Sequence, residues 1–297
     1  MKDYKKEFSN YLANTKKLSK NSYDSYMRDL VQFIGFCDNK NIDDAINIDN
    51  LFIKNYFKHL KRAGKSSASM ARALATLRCY FNYLVYVGKI DETPVHNIEL
   101  NKVEKSFPET LTNKEVKLLL MQPDVTTQKG IRDKAMLEVL YATGMRVSEL
   151  IGLKLHNVNI QLGILHLDTD RGERVIPMYP EALESVLEYI TNVRKLLIYE
   201  KGVDELFVNT NGKPMTRQGF WKIIKFYASK AKIEKEITPH TLRHSFAEHL
   251  LENGAPLADI KEILGHSDIS STQVYAQMLK SKYAQSYKKY HPMAAHK

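Results

Sequence analysis

TPHTLRHSFAEHL, residues 238–250, is the densest stretch of this chain. Thr238 can cap a helix and Pro239 can fill its first position, because proline has no amide hydrogen to leave unpaired and its φ is already helical. Leu242, Phe246 and Leu250 then fall on one stripe, so the segment reads as an amphipathic helix. His240 lies in the first turn, and at about 100° per residue it stands about 60° from Arg243, beside amides that favour an anion. A forked guanidinium suits the nonbridging oxygens of a phosphodiester, and an imidazole can give or take a proton near neutrality. The same two residues also fit a helix whose polar face is simply charged. HTLRH lacks the Glu of the zinc-protease pattern, so no metal site on His240 and His244 is expected.

Moving outward, a helix carrying Leu257, Ile260, Ile263 and Leu264 is stopped by Gly265, which leaves His266 at a turn. Ser270 and Gln273 fit a capping box, and the short helix they start carries Tyr275. A phenol attacks phosphorus poorly while protonated, so a nucleophilic tyrosine needs an acceptor and cations nearby. His266 and two arginines would supply them, although Tyr275 is one of 17 tyrosines and such a ring more often packs in a core. Upstream, YATGMRVSEL, residues 141–150, reads as a helix ended by Gly144, with Arg146 emerging before Ser148 caps the next turn. Glu149 would orient Arg146; the plainer alternative is a surface cap and ion pair.

The rest of the second half supports a mostly helical domain. Thr112 or Asn113 can cap a helix through Leu120, and a longer helix spans 131–142 with Met136, Val139 and Leu140 inward. Residues 160–167 and 174–178 are β-prone around the turn-rich TDRG, which predicts a hairpin, and a short strand over 206–209 leads into the Asn211-Gly212 turn. From Asp3 to Gly88 four helices are predicted: one through Tyr4, Phe8, Tyr11 and Leu12; one after Ser19 with Tyr23, Tyr26, Leu30, Phe33, Ile34 and Cys37; one after Asp49 with Leu51, Ile53, Tyr56, Phe57 and Leu60; and one from Ser66 or Ser67 to Val87. The polar, proline-interrupted stretch between Thr93 and Thr110 reads as a linker.

A chain of 297 residues implies two domains, and its net charge of +10 points to a polyanionic partner. Up to residue 110 there are 18 Lys and Arg against 13 Asp and Glu, so each part carries about half of that excess, as a protein gripping DNA from two sides would. Cys37 and Cys79 sit on apolar helix faces and read as buried reduced thiols. With no apolar stretch of signal-peptide or membrane-spanning length, a cytoplasmic protein is expected.

Arg146, the pair His240 and Arg243, His266 and Tyr275, in that order and spacing, resemble the signature of tyrosine recombinases and phage integrases. TRQGFWKIIK at 216–225 and LLENGAPLADIKEILGHSDISSTQVYA at 250–276 are similar to the Xer subfamily, which resolves chromosome dimers. The resemblance covers nearly the whole chain. It implies a mainly α fold: a four-helix, SAM-like core-binding bundle over 1–100, a linker at 101–111, and a mostly α catalytic domain with a small antiparallel sheet and a C-terminal interaction tail over 112–297. It also implies a C-shaped clamp on DNA, with Tyr275 attacking the scissile phosphate to leave a 3′-phosphotyrosyl link and a free 5′-hydroxyl. Arg146 and Arg243 would hold the nonbridging oxygens, His240 and His266 would assist proton transfer, and Glu149 would support them. Lys65, Ser66, Ser67, Arg72 and Arg78 would lie near the major groove. No cofactor or metal is implied. The implied partners are double-stranded DNA with a specific recombination site, further copies or a second recombinase in a tetramer on two duplexes, and a cell-division DNA translocase, with no membrane.

One position departs from the family. Where it commonly has GKGxKER, this chain has DTDRGER at 168–174, so Thr169 stands in place of a lysine thought to protonate the leaving 5′-oxygen. A threonine is no comparable acid, and Arg171 holds its proton too tightly. Arg171 or a water substitutes, another lysine reaches in, or the chain cleaves slowly with a partner subunit. Mobile-element integrases share the chemistry; the lack of an arm-binding domain weighs against the large phage integrases. A type IB topoisomerase or a catalytically weakened DNA-binding relative are the other readings. Tyr283, Tyr287 and Tyr290 recur at helical spacing, and the tail they mark is expected to dock on a neighbouring subunit.

Overall fold

The structure, a computed structural model, describes residues 2–98, 100, 108–169, 172–198 and 202–265, without the side chains of residues 2, 3 and 169. His266, Ser270, Gln273, Tyr275, the three tail tyrosines and Arg171 therefore lie outside the described residues, and so does the side chain of Thr169. The chain forms two compact units, Met1–Lys105 and Ser106–Lys297. The fold is mainly α, with a helical N-terminal unit and a small antiparallel sheet in the second.

In the first unit α1 (Lys2–Asn10) runs on into a wide turn at Tyr11–Thr15, followed by α2 (Lys20–Asp38), α3 (Asn50–Arg62) and α4 (Ser67–Tyr86). Each of the last three starts where an oxygen-bearing side chain satisfies an otherwise orphaned amide: Ser19 accepts from Ser22 N, Asp49 from Phe52 N at 2.7 Å, and Ser66 from Ser69 N. Gly64 and Gly88, at φ 71° and 69°, follow α3 and α4 in the left-handed region that glycine enters without strain. The core is aromatic: Phe33 meets Tyr56 edge-on at 5.0 Å, and Phe8 meets Tyr80 at 5.1 Å. Leu51 was expected to face this core but is 61% exposed. It precedes Ile53 by two residues, about 200° round the helix, so both cannot point inward. Cys37 and Cys79 are free thiols, and burial pushes that of Cys37 up to about 12.

The second unit is built round α6 (Gln128–Thr143), which follows α5 (Asn113–Leu120). A capping box between Thr112 and Glu115 starts α5, and Thr127 caps α6 three residues ahead of the expected start. α6 is buried nearly all round, Met136, Leu137, Val139 and Leu140 being fully buried, so it is the central helix. Even its charges go inside. Arg132 pairs with Asp133 at 2.6 Å, and Asp133 also accepts from Tyr227 Oη at 3.0 Å.

After α6 come α7 (Val147–Gly152) and a three-stranded antiparallel sheet of β1 (Val158–Asn159), β2 (Ile164–Thr169) and β3 (Gly172–Pro177). The register pairs Leu165 with Ile176, Leu167 with Arg174 and Thr169 with Gly172. α8 (Pro180–Glu188) then passes through a wide turn at Tyr189–Arg194 into α9 (Lys195–Leu197), and α10 (Arg217–Lys230), α11 (Pro239–Glu252) and α12 (Leu257–Leu264) follow. Residues 206–209, expected as a strand, make only an isolated bridge, Val208 with Pro214. The tight turn at Asn211-Gly212 folds the segment on itself, Met215 N donating to Phe207 O, while its start is tied to the stretch after α7 by a bridge of Glu205 with Lys154 and by Leu206 N donating to Leu153 O at 2.6 Å. Among the described residues no helix is long and apolar enough to cross a membrane.

Candidate active site

The site lies in the second unit, where two helix ends meet. α6 ends at Gly144 in the left-handed conformation, φ 56°, and a Cβ there would come within 2.3 Å of the Phe246 ring. α12 ends likewise at Gly265, φ 61°. Such ends expose carbonyls with no helical partner and a partial negative charge, both of which attract cations. Arginines fill the role. Arg243 on α11 is buried and donates from Nη1 to Gly144 O at 2.6 Å and from Nη2 to Leu264 O at 2.7 Å. Arg146 donates from Nη2 to Gly265 O at 3.2 Å. Arg174 on β3 donates from Nη1 to Ile263 O at 2.8 Å. Three arginines thus take the carbonyls of three successive residues.

Glu149 holds the group together. Its Oε2 accepts from the backbone N–H of Arg146 at 2.7 Å, and its Oε1 lies 2.9 Å from Arg146 Nη1 and 2.8 Å from Arg174 Nη2. The Arg174 contact is close but falls outside hydrogen-bond geometry, so it is an ion pair without a hydrogen bond. Burial alone would raise the Glu149 carboxyl; the Arg146 amide, then the Arg174 and Arg146 charges, outweigh it and hold the group below the usual range. Arg146 itself occupies the position before α7, with Glu149 closing the cap, which corrects the expectation that Ser148 does so. Ser148 lies inside the helix.

His240 sits at the exposed start of α11, capped by Thr238 with Pro239 in the first turn. Its pKa is lowered by partial desolvation, then by the charges of Arg243 and Arg146, so the neutral imidazole is favoured. His244, one turn on, is lowered to about 4 by burial, then by His240 and Arg243. Among the described residues the cluster has three guanidiniums to one carboxylate, an excess of positive charge beside a helix N-terminus. Its chemistry is that of an anion site able to grip a phosphate. Among the described residues no three His, Cys, Asp or Glu are grouped to hold a metal ion.

Of the predicted residues, Arg146, Arg243, Glu149 and His240 come together. His266, Tyr275 and Arg171 lie outside the described residues, and Thr169 ends β2 opposite Gly172. In the first unit Lys65, Ser66, Ser67, Arg72 and Arg78 are exposed. Arg72, however, is bound two-fold to the buried Asp29, at 2.8 and 2.9 Å, and Arg78 Nη2 donates to Ile98 O at 3.4 Å. Arg174 was missed by sequence reasoning. The signal is the strand period: in GERVIP it shares a face with the buried Ile176, and an arginine at an inward position needs an anion.

A helical first unit and a mostly helical second unit with an arginine-lined anion site fit a protein that handles a polyanion, and comparison with known proteins gives its class. Residues 109–282 match the phage integrase family, and residues 6–88 match the phage integrase N-terminal SAM-like domain. The chain belongs to the phage integrase family and is a tyrosine recombinase, an enzyme that cleaves and rejoins DNA. It is 42% identical over 290 residues to tyrosine recombinase XerD of Halalkalibacterium halodurans, covering 97% of each chain. It is 41% identical to the XerD of Listeria innocua over 297 residues, 99% of this chain and 100% of that one. Among solved structures it resembles the XerA recombinase (TM-score 0.54, 26% identity, 98% of this chain and 99% of that chain). The XerH recombinase bound to a palindromic difH substrate after cleavage shares the fold (TM-score 0.75, 21% identity, 90% and 79%).

Proposed function

We propose that this enzyme is a site-specific recombinase of the chromosome-dimer-resolving type, whose nucleophile is Tyr275. The convergence of Arg146 and Arg243 at the end of α12, with His240 close enough to feel both charges, carries the reading. A scissile phosphate seated there would place its nonbridging oxygens on the two guanidiniums, which offset the charge that grows on them as a fifth oxygen approaches. Tyr275 attacks phosphorus, the 5′-oxygen leaves with a proton, and a 3′-phosphotyrosyl link remains. His240 and His266 orient the phosphate and move protons, with Glu149 fixing Arg146. Because the phosphotyrosine conserves the bond's free energy, a 5′-hydroxyl of a partner strand reverses the step without a nucleotide. At the family's lysine position this chain has Thr169, so Arg171 or a water substitutes, another lysine reaches in, or cleavage is slow and depends on a partner subunit.

The domain reading is a core-binding domain over 1–100, a linker over 101–111 and a catalytic domain over 112–297. Lys65, Ser66 and Ser67 are the better candidates for phosphate contacts, Arg72 being committed to Asp29. The partners are duplex DNA with a specific recombination site, three further recombinase subunits, of this chain or a second one, on two duplexes, and a DNA translocase of cell division. The place of action is the cytoplasm. Support comes from full-length similarity to proteins named XerD.

Trapping on a nicked duplex tests the nucleophile. Tyr275→Phe is expected to abolish the covalent protein–DNA adduct while DNA binding persists, since only the attacking oxygen is deleted. A full-yield adduct from Tyr275→Phe would move the nucleophile to Tyr283, Tyr287 or Tyr290.

A further inference from the structure

Arg174 has no part in the mechanism above, yet it makes two of the contacts that shape the site. Its side chain is only 10% exposed and its donors face inward, to Glu149 and to the Ile263 carbonyl. Its guanidinium also lies against the backbone of Gly265, where a Cβ would stand 2.6 Å from Cζ and from Nη1. Only glycine allows that approach. The same Glu149 oxygen that pairs with Arg174 pairs with Arg146, whose Nη2 reaches Gly265.

We propose that Arg174 is a positioning residue for DNA cleavage: by gripping Glu149 and the end of α12 together, it fixes the Arg146 guanidinium in the orientation that receives the scissile phosphate. The proposal rests on the reading that Arg146 contacts that phosphate. Arg146 holds Glu149 through its amide and its guanidinium, both from the segment that starts α7. Arg174 adds a hold from strand β3, which ties that segment to the sheet and to the end of α12. Arg174 supplies the second hold without meeting the DNA, and its charge helps keep Glu149 ionised.

The test is single-turnover cleavage of a nicked duplex at saturating protein. Arg174→Gln is expected to slow cleavage about tenfold to a hundredfold, the scale on which small misplacements act, with DNA affinity little changed. Glu149→Gln should cost a similar factor, and the double variant should be no slower than the slower single one, because both act through one link. Arg174→Lys should recover part of the rate, since an ammonium can pair with Glu149 but cannot also fork to Ile263. With Arg174→Gln the acid limb of the pH–rate profile should move to higher pH, as Glu149 loses a cation that keeps it ionised. Losses that multiply in the double variant, an unshifted acid limb, or a normal rate for Arg174→Gln would each overturn the proposal. If Arg146→Ala cleaves normally, the phosphate reading fails whatever Arg174 does; if only Arg174→Gln cleaves normally, the positioning role alone fails.

Discussion

Among the described residues of the second unit are two arginine–carboxylate groupings that differ in what they leave over. Arg132 and Asp133 on α6 are one cation and one anion, with side chains 3% and 0% exposed, closed off by Tyr227 Oη and Val208 O. The site grouping has three arginines to one carboxylate, and Arg146 within it is 24% exposed. The first grouping is neutral and complete, so it can only bind parts of the fold to one another. The second is held by helix-end carbonyls, which orient arginines without cancelling their charge, so it stays ready for an anion. Net charge and access, rather than the number of ion pairs, separate a structural cluster from a binding one.

That contrast can be broken most severely at the neutral pair. Asp133→Ala would strand a buried guanidinium, and a loss of about 3–5 kcal/mol of stability is expected from chemical denaturation. Cleavage per folded molecule should persist. A stability loss below about 1 kcal/mol would mean that the arginine finds water or another acceptor, and the pair would not be the closed unit described here.

A smaller effect is expected at His244, which is half-buried one turn after His240 on α11. Its pKa falls from 6.5 to about 4 through burial, then His240 and Arg243. Between those two pH values the unfolded chain binds a proton that the folded chain does not, so stability falls as pH drops through the window and levels off below it. Allowing for the partial exposure of the ring, the change is on the order of 2 kcal/mol. Comparing natural protein with His244→Gln across pH 4–7 checks it: the substitution should remove this part of the slope, and an unchanged slope would place the titration elsewhere.

Much of this was legible in the sequence because it is local. Thr238, Pro239 and the spacing of Leu242 from Arg243 encode the start and faces of α11 by capping and periodicity, and Gly144 and Gly265 mark helix ends that need positive φ. What was not legible depends on which face becomes core. Nothing local in the sequence marks Arg132 or Asp133 as inward; that follows only from α6 being central, and the face Arg174 shares with Ile176 is inward only because β3 turns it so. Arg72 is similar: its partner Asp29 is 43 residues away, and only tertiary packing shows that its guanidinium is engaged. Leu51 failed for the opposite reason, since an apolar residue joins the core only where a partner surface exists, whereas residues 206–208 are buried in the core but pair only through single bridges.

The account stands most directly on the rate at which Arg146→Ala and Arg243→Ala cleave saturated DNA in a single turnover. If their guanidiniums meet the phosphate in the transition state, each substitution lowers that rate by at least about a hundredfold, while binding, shared among many basic groups, falls far less. Folding of each variant is checked alongside, because Arg243 also satisfies buried carbonyls of Gly144 and Leu264. Weakened binding with a normal cleavage rate on saturated DNA would contradict the central claim and leave the cluster a structural clasp at the end of α12.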